Sequence, residues 1–213
     1  KMMPEPVHSD GDSFLLYLQP KIDMRDGRLV GAEALVRGVD GQGKIIMPVE
    51  FIEEMEKDGS IRKLDFFMLE KVMAQLAEWK SRGLPLINIS VNISRKTLFN
   101  PTILASVLAI QSHFPDISPE LVDLEITETA ADVGKVTFGN TVERFRRCGI
   151  QFELDDFGSR YANISIFSNI HFHTIKLDRS LINDLPENEI GKVLIKDIVD
   201  ICHTFDMVCI AEG

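Results

Sequence analysis

The chain has 213 residues, 45% of them hydrophobic, and a formal net charge of −10. That length can bury the core of one large domain or two small ones, and it is slightly short of the about 250 residues usual for an α/β barrel. The acidic balance argues against binding long nucleic acid through its phosphates, which needs clustered Lys and Arg, but not against a small phosphorylated ligand held through metal ions. Cys148, Cys202 and Cys209 show no CxxC spacing. A disulfide scaffold or a zinc site is therefore not expected, and a reducing, cytoplasmic setting is. No apolar run approaches the about 20 residues needed to span a bilayer, and no signal segment opens the chain.

In chain order, residues 1–12 (KMMPEPVHSDGD) are polar and contain proline, and read as a linker or the cut edge of a longer chain. Strand-like runs follow: FLLYLQPKI (14–22), RLVGAEALVR (28–37), LINISVNIS (86–94), LVDLEITE (121–128), IQFELDD (150–156), HTIKLD (173–178) and MVCIAEG (207–213). Asp26-Gly27 lies between the first two and is a hairpin signal, so that pair should be antiparallel. Between the later strands, Ile61, Leu64, Met68, Val72 and Leu76 recur at helical steps, as do Ile190, Leu194, Ile198 and Ile201. Gly83-Leu84-Pro85 should end the first of these helices. Strands alternating with helices imply a largely parallel sheet, either doubly wound or closed into a barrel.

Polar residues interrupt the strands at telling places. Glu33 breaks an apolar run; Asn92, Glu125, Glu128, Asp155 and Asp156 lie near strand ends; Lys176 sits inside HTIKLD. In a parallel sheet, inward-facing residues at the carboxyl ends of strands meet at one rim. Carboxylates gathered there repel unless divalent cations offset them, and oxygen ligands suit Mg²⁺ or Mn²⁺. Two such ions suit in-line displacement at a phosphodiester. The five histidines are scattered; His171 and His173 have a metal-compatible i, i+2 spacing but no third ligand is apparent, so a structural role is expected.

The motifs YLQPKI, GAEALVR, SVNIS, LEITE, ELDDFGS, IKLD and IAEG stand in this order between residue 17 and the chain's end. Together they resemble the EAL domain, the phosphodiesterase domain of bacterial cyclic di-GMP signalling. The resemblance covers residues 13–213 and implies an α/β fold, a modified TIM (β/α)₈-type barrel with an antiparallel first strand. It implies Mg²⁺ or Mn²⁺ held by Glu33, Asn92, Glu125, Asp155 and Asp156, with Lys176 and Glu33 catalytic and Lys176 at the attacking water. Gln19, Leu35 and Arg37 would hold cyclic di-GMP, and Glu128 would anchor the loop after Asp156. The implied reaction is hydrolysis to linear pGpG. The implied assembly is a homodimer, with an upstream sensory or GGDEF-type domain in the parent protein.

Two departures from the family's pattern stand out. The loop after Gly158 usually continues Thr-Gly-Tyr-Ser-Ser; here Ser159 keeps the hydroxyl, but Arg160 replaces a glycine and Ala162 and Asn163 replace serines. A residue other than glycine at positive φ costs about 1 kcal/mol or more. The altered loop favours an alternative, a degenerate EAL domain acting as a receptor or docking module. The family also continues past AEG with a further glutamate ligand and another strand-helix unit, so an incomplete barrel is expected from this chain. A nuclease would use the same metals, but the acidic balance speaks against it.

Overall fold

A computed structural model of the chain describes residues 7–9, 12–128, 135–159, 170–183, 185 and 188–212. It divides into two compact units, Lys1–Val122 and Asp123–Gly213.

The first unit is built on a long hairpin. Strands β2 (Asp12–Ile22) and β3 (Leu29–Val39) run antiparallel, as Asp26-Gly27 predicts, and Gly27 closes the turn at φ 74°. Short strands not legible in the sequence flank the hairpin: β1 (Val7–Ser9) pairs with β2, and β4 (Ile45–Ile46) with β3. Strand β5 (Asn88–Asn92) joins β3 in parallel after a crossover through helices α1 (Ile52–Asp58) and α2 (Ile61–Ser81). Two more helices, α3 (Arg95–Leu98) and α4 (Ile103–Ser112), follow.

Register sorts this sheet into two faces, because successive strand residues point oppositely. Phe14, Leu16 and Leu18 pair with Gly38, Val36 and Ala34, and Ala34 pairs with Val91. This apolar face meets α2: Phe14 lies 6.4 Å from Phe67 between ring centroids. The predicted helical residues Ile61, Leu64, Met68, Val72 and Leu76 are all buried, and α2 ends just before Gly83, as expected. The opposite face carries Leu15 with Arg37, Tyr17 with Leu35, and Gln19 with Glu33; Ser90 pairs with Glu33, and Asn92 lies two residues on.

The second unit is a parallel sheet in sequence order: β6 (Val122–Thr127), β7 (Gln151–Phe157), β8 (Thr174–Leu177) and β9 (Val208–Ala211). Its apolar face carries Leu124, Ile126, Phe152, Leu154, Ile175 and Leu177, each at most 2% exposed. Helix α5 (Lys135–Arg146) covers part of it, with Phe145 edge-on to Phe152 at 5.4 Å and Phe138 at 6.1 Å. Helices α6 (Arg179–Asn183) and α7 (Glu189–Thr204) complete the described elements. On α7, Ile198 is buried as its periodicity predicts, but Ile190 in the first turn is 83% exposed.

Phe152 is 0% exposed and touches two other rings. Phe152→Ala should lower unfolding stability by about 3–5 kcal/mol. Val193→Ala, at a position 61% exposed, should stay within about 0.5 kcal/mol of the parent. Urea denaturation midpoints of both variants check this.

Candidate active site

Alternation places acidic groups on the second unit's polar face. Glu125 pairs in register with Glu153, Thr127 with Asp155, and Lys176 with Ile210. Glu125 and Lys176 are buried, 0% and 3% exposed. The Lys176 ammonium donates to Glu125 Oε1 at 2.6 Å and lies 2.8 Å from Glu212 Oε1. Asp155 Oδ1 is 3.0 Å from it, an ion-pair distance without hydrogen-bond alignment.

Asp155 and Asp156 are adjacent, and in a regular strand their side chains would point to opposite faces. The register slips between Leu154 and Phe157, and Asp156 takes the left-handed conformation at φ 56°. Asp and Asn adopt that conformation most readily among residues with a Cβ. Asp155, Asp156 and Glu212 thereby each offer a carboxylate oxygen within 4.8 Å of the others. The Asp156 carboxyl is pushed up to about 6, first by burial, then by the charges of Asp155, Glu212 and Asp178, while Lys176 opposes the shift. Crowded carboxylates that repel one another fit a hard divalent cation with oxygen ligands.

The turn after Asp156 is held from several directions. Gly158 donates its N–H to Glu128 Oε2 at 3.3 Å, Ser159 N–H to the Asp156 carbonyl at 3.1 Å, and Asp178 N–H to the Phe157 carbonyl at 3.1 Å. Gly158 has φ 90°, and a Cβ there would stand 2.3 Å from Leu181 Cδ1 on α6. Ser159 is exposed; the altered positions Arg160, Ala162 and Asn163 lie outside the described residues.

In the first unit, Asn92 donates its amide to Glu33 Oε1 at 3.2 Å. Gln19 is opposite Glu33 in register. Arg37 is over the Tyr17 ring at 5.6 Å and donates to the Val36 carbonyl at 2.7 Å. Leu35 pairs with Tyr17 on the same face. Away from these groups, His173 Nδ1 lies 3.2 Å from the buried Asp123 Oδ2, consistent with a structural histidine.

Glu212 is the residue the sequence reading passed over. It belongs to the IAEG motif, where no apolar neighbour follows it in the strand-like run. The signal was there: Glu212 follows Ile210 by two, and Ile210 pairs with Lys176, so alternation assigns Glu212 to the lysine's face.

A family model of the EAL domain matches residues 7–213. The chain belongs to the EAL domain family. Its fold class is that of the family, a modified TIM barrel whose first long strand runs antiparallel, as β2 does against β3. This EAL domain is 30% identical over 202 residues to "Cyclic di-GMP phosphodiesterase PA2567" of Pseudomonas aeruginosa, covering 95% of this chain and 34% of that protein. It is 30% identical over 206 residues to "Cyclic di-GMP phosphodiesterase PdeR" of Escherichia coli, covering 96% of this chain and 30% of that protein. The chain thus spans about a third of the length of these relatives. The solved structure "PaMucR Phosphodiesterase, c-di-GMP complex" superposes with a TM-score of 0.85 at 27% identity, over 94% of this chain and 81% of that one. Among the described residues, no helix is long and apolar enough to cross a membrane.

Asp156 gives a pH test. Its raised value means the metal-free fold prefers the protonated carboxyl, so that contribution to stability is full below about 4 and lost as pH rises through about 6. Asparagine suits φ 56° and carries no charge. Asp156→Asn should therefore raise the metal-free melting temperature at pH 7.5, with the gain shrinking toward pH 4.5. Thermal unfolding across pH in a chelating buffer measures it.

Proposed function

We propose that this EAL domain hydrolyses one phosphodiester bond of cyclic di-GMP to give linear pGpG, with Mg²⁺ or Mn²⁺ as cofactor. The observation that carries the reading is the group of Asp155, Asp156 and Glu212 oxygens within 4.8 Å, beside a buried lysine. The relatives named as cyclic di-GMP phosphodiesterases, and the cyclic di-GMP complex of a similar fold, supply the substrate. When bound, divalent cations lower the pKa of a water and offset phosphate charge.

The chain's own residues would divide the remaining work. Glu33, Asn92, Glu125, Asp155 and Asp156 are assigned as metal ligands by the family resemblance, with Glu212 added to that set. Lys176, beside Glu125, Asp155 and Glu212, contacts or helps deprotonate the attacking water. Arg37, braced on Tyr17, offers a planar fork of donors to a phosphate. Gln19 and Leu35 contact the dinucleotide, Leu35 partly through its backbone. Glu128 fixes the turn that presents Asp156, with Ser159 next in line. A homodimer, an upstream sensory or GGDEF-type domain and a cytoplasmic location belong to the same reading.

With Mg²⁺ or Mn²⁺, the full-length protein carrying this domain should convert cyclic di-GMP to pGpG, resolved by chromatography, and Glu33→Ala should abolish conversion. Tight binding of cyclic di-GMP without turnover under both metals would favour the receptor alternative instead.

A further inference from the structure

Helix α2 carries one carboxylate in its buried stripe. Asp65 is 6% exposed and lies between Leu64 and Met68 on the helix's packed side. Burial raises its pKa, and the carboxylate of Glu56 adds to the effect. A buried carboxylate is costly unless its hydrogen bonds are made, so what Asp65 binds is informative.

Its partners are at the exit of β5. The Ser94 N–H donates to Asp65 Oδ2 at 3.0 Å, and the Ser94 hydroxyl donates to the same oxygen at 2.6 Å. The Ser94 oxygen in turn accepts the Thr97 N–H at 3.3 Å and caps α3. Thr97 is itself buried. Ser94 stands two residues after Asn92, the last residue of β5, with the buried Ile93 between them. Asp65 therefore fixes the path by which the chain leaves the sheet immediately after Asn92. The amide of Asn92 then reaches Glu33 at 3.2 Å.

We propose that Asp65 is a positioning residue for Asn92: by clamping Ser94 from α2 it sets the direction of the Asn92 amide toward Glu33. This rests on the reading of Asn92 and Glu33 as metal ligands given above. Asp65 also hydrogen-bonds the Thr97 side chain; both Ser94 donors converge on one oxygen, so an asparagine at position 65 could still accept both through its carbonyl. Alanine could accept neither.

The test uses the metal-free protein first. In Asp65→Ala, the side-chain amide resonances of Asn92, identified by their loss in Asn92→Asp, should move away from their hydrogen-bonded positions; in Asp65→Asn they should stay. Met68→Ala, from the same buried stripe, is the control for general loosening of α2 and should leave them in place. In a Mn²⁺ titration followed by electron paramagnetic resonance, Asp65→Ala should weaken half-saturation by about tenfold, the scale seen when an outer partner of a ligand is lost. Asp65→Asn should restore it. Unchanged Asn92 resonances in Asp65→Ala, or an equal shift in Met68→Ala, would overturn the proposal. If the parent protein binds no Mn²⁺, the metal reading of the site fails, while the resonances still decide whether Asp65 positions Asn92.

Discussion

A buried ammonium organises the second unit's polar face. Removing an ion from water costs several kcal/mol unless its partners repay it. Lys176, 3% exposed, has Glu125, Asp155 and Glu212 within 3.0 Å. Each carboxylate makes the lysine's burial tolerable, and the lysine does the same for them. Among the described residues the balance is incomplete, because a fourth carboxylate stands beside them. The surplus negative charge contributes to the raised pKa of Asp156. The same surplus makes the site receptive to a cation: a site already neutral would gain little from one.

The sheet supplies the placement. Alternation along β6, β7 and β8 puts Glu125, Asp155 and Lys176 on one side and Leu124, Leu154 and Ile175 on the other. Phe138 and Phe145 of α5 press on the apolar side through Phe152. Alternation alone would waste one of two consecutive aspartates. The left-handed turn at Asp156 breaks the rule at one residue, and the bonds from Gly158, Ser159 and Asp178 hold the break in place.

Much of this was legible in the sequence. The hairpin followed from Asp26-Gly27, α2 from its apolar spacing, and the acidic set from polar residues interrupting strands. Other features were not. Short strands such as Ile45–Ile46 carry too few residues to show a period. Glu212 stands past the last apolar residue of its strand, so no alternation flanks it, although its spacing from Ile210 encodes its face. Asp65 looks like any polar residue on an amphipathic helix; only its distance to Ser94, 29 residues away, reveals its partner, and pairings that distant leave no local pattern. Ile190 failed the other way, because helical period says which residues share a side but not how far along the helix a neighbour extends.

The raised carboxyl of Asp156 also bears on what the metal-free fold gives up to hold two aspartates at one turn. Asparagine at that position would keep the turn and shed the repulsion, so the substitution that removes this carboxylate would also relax the metal-free fold. Stability and activity commonly trade against each other where a site is crowded or strained, and the turn at Asp156 is such a place. With both aspartates present, the metal-free fold carries the crowding at Asp156 as a standing cost above about pH 6, one that a bound cation would offset.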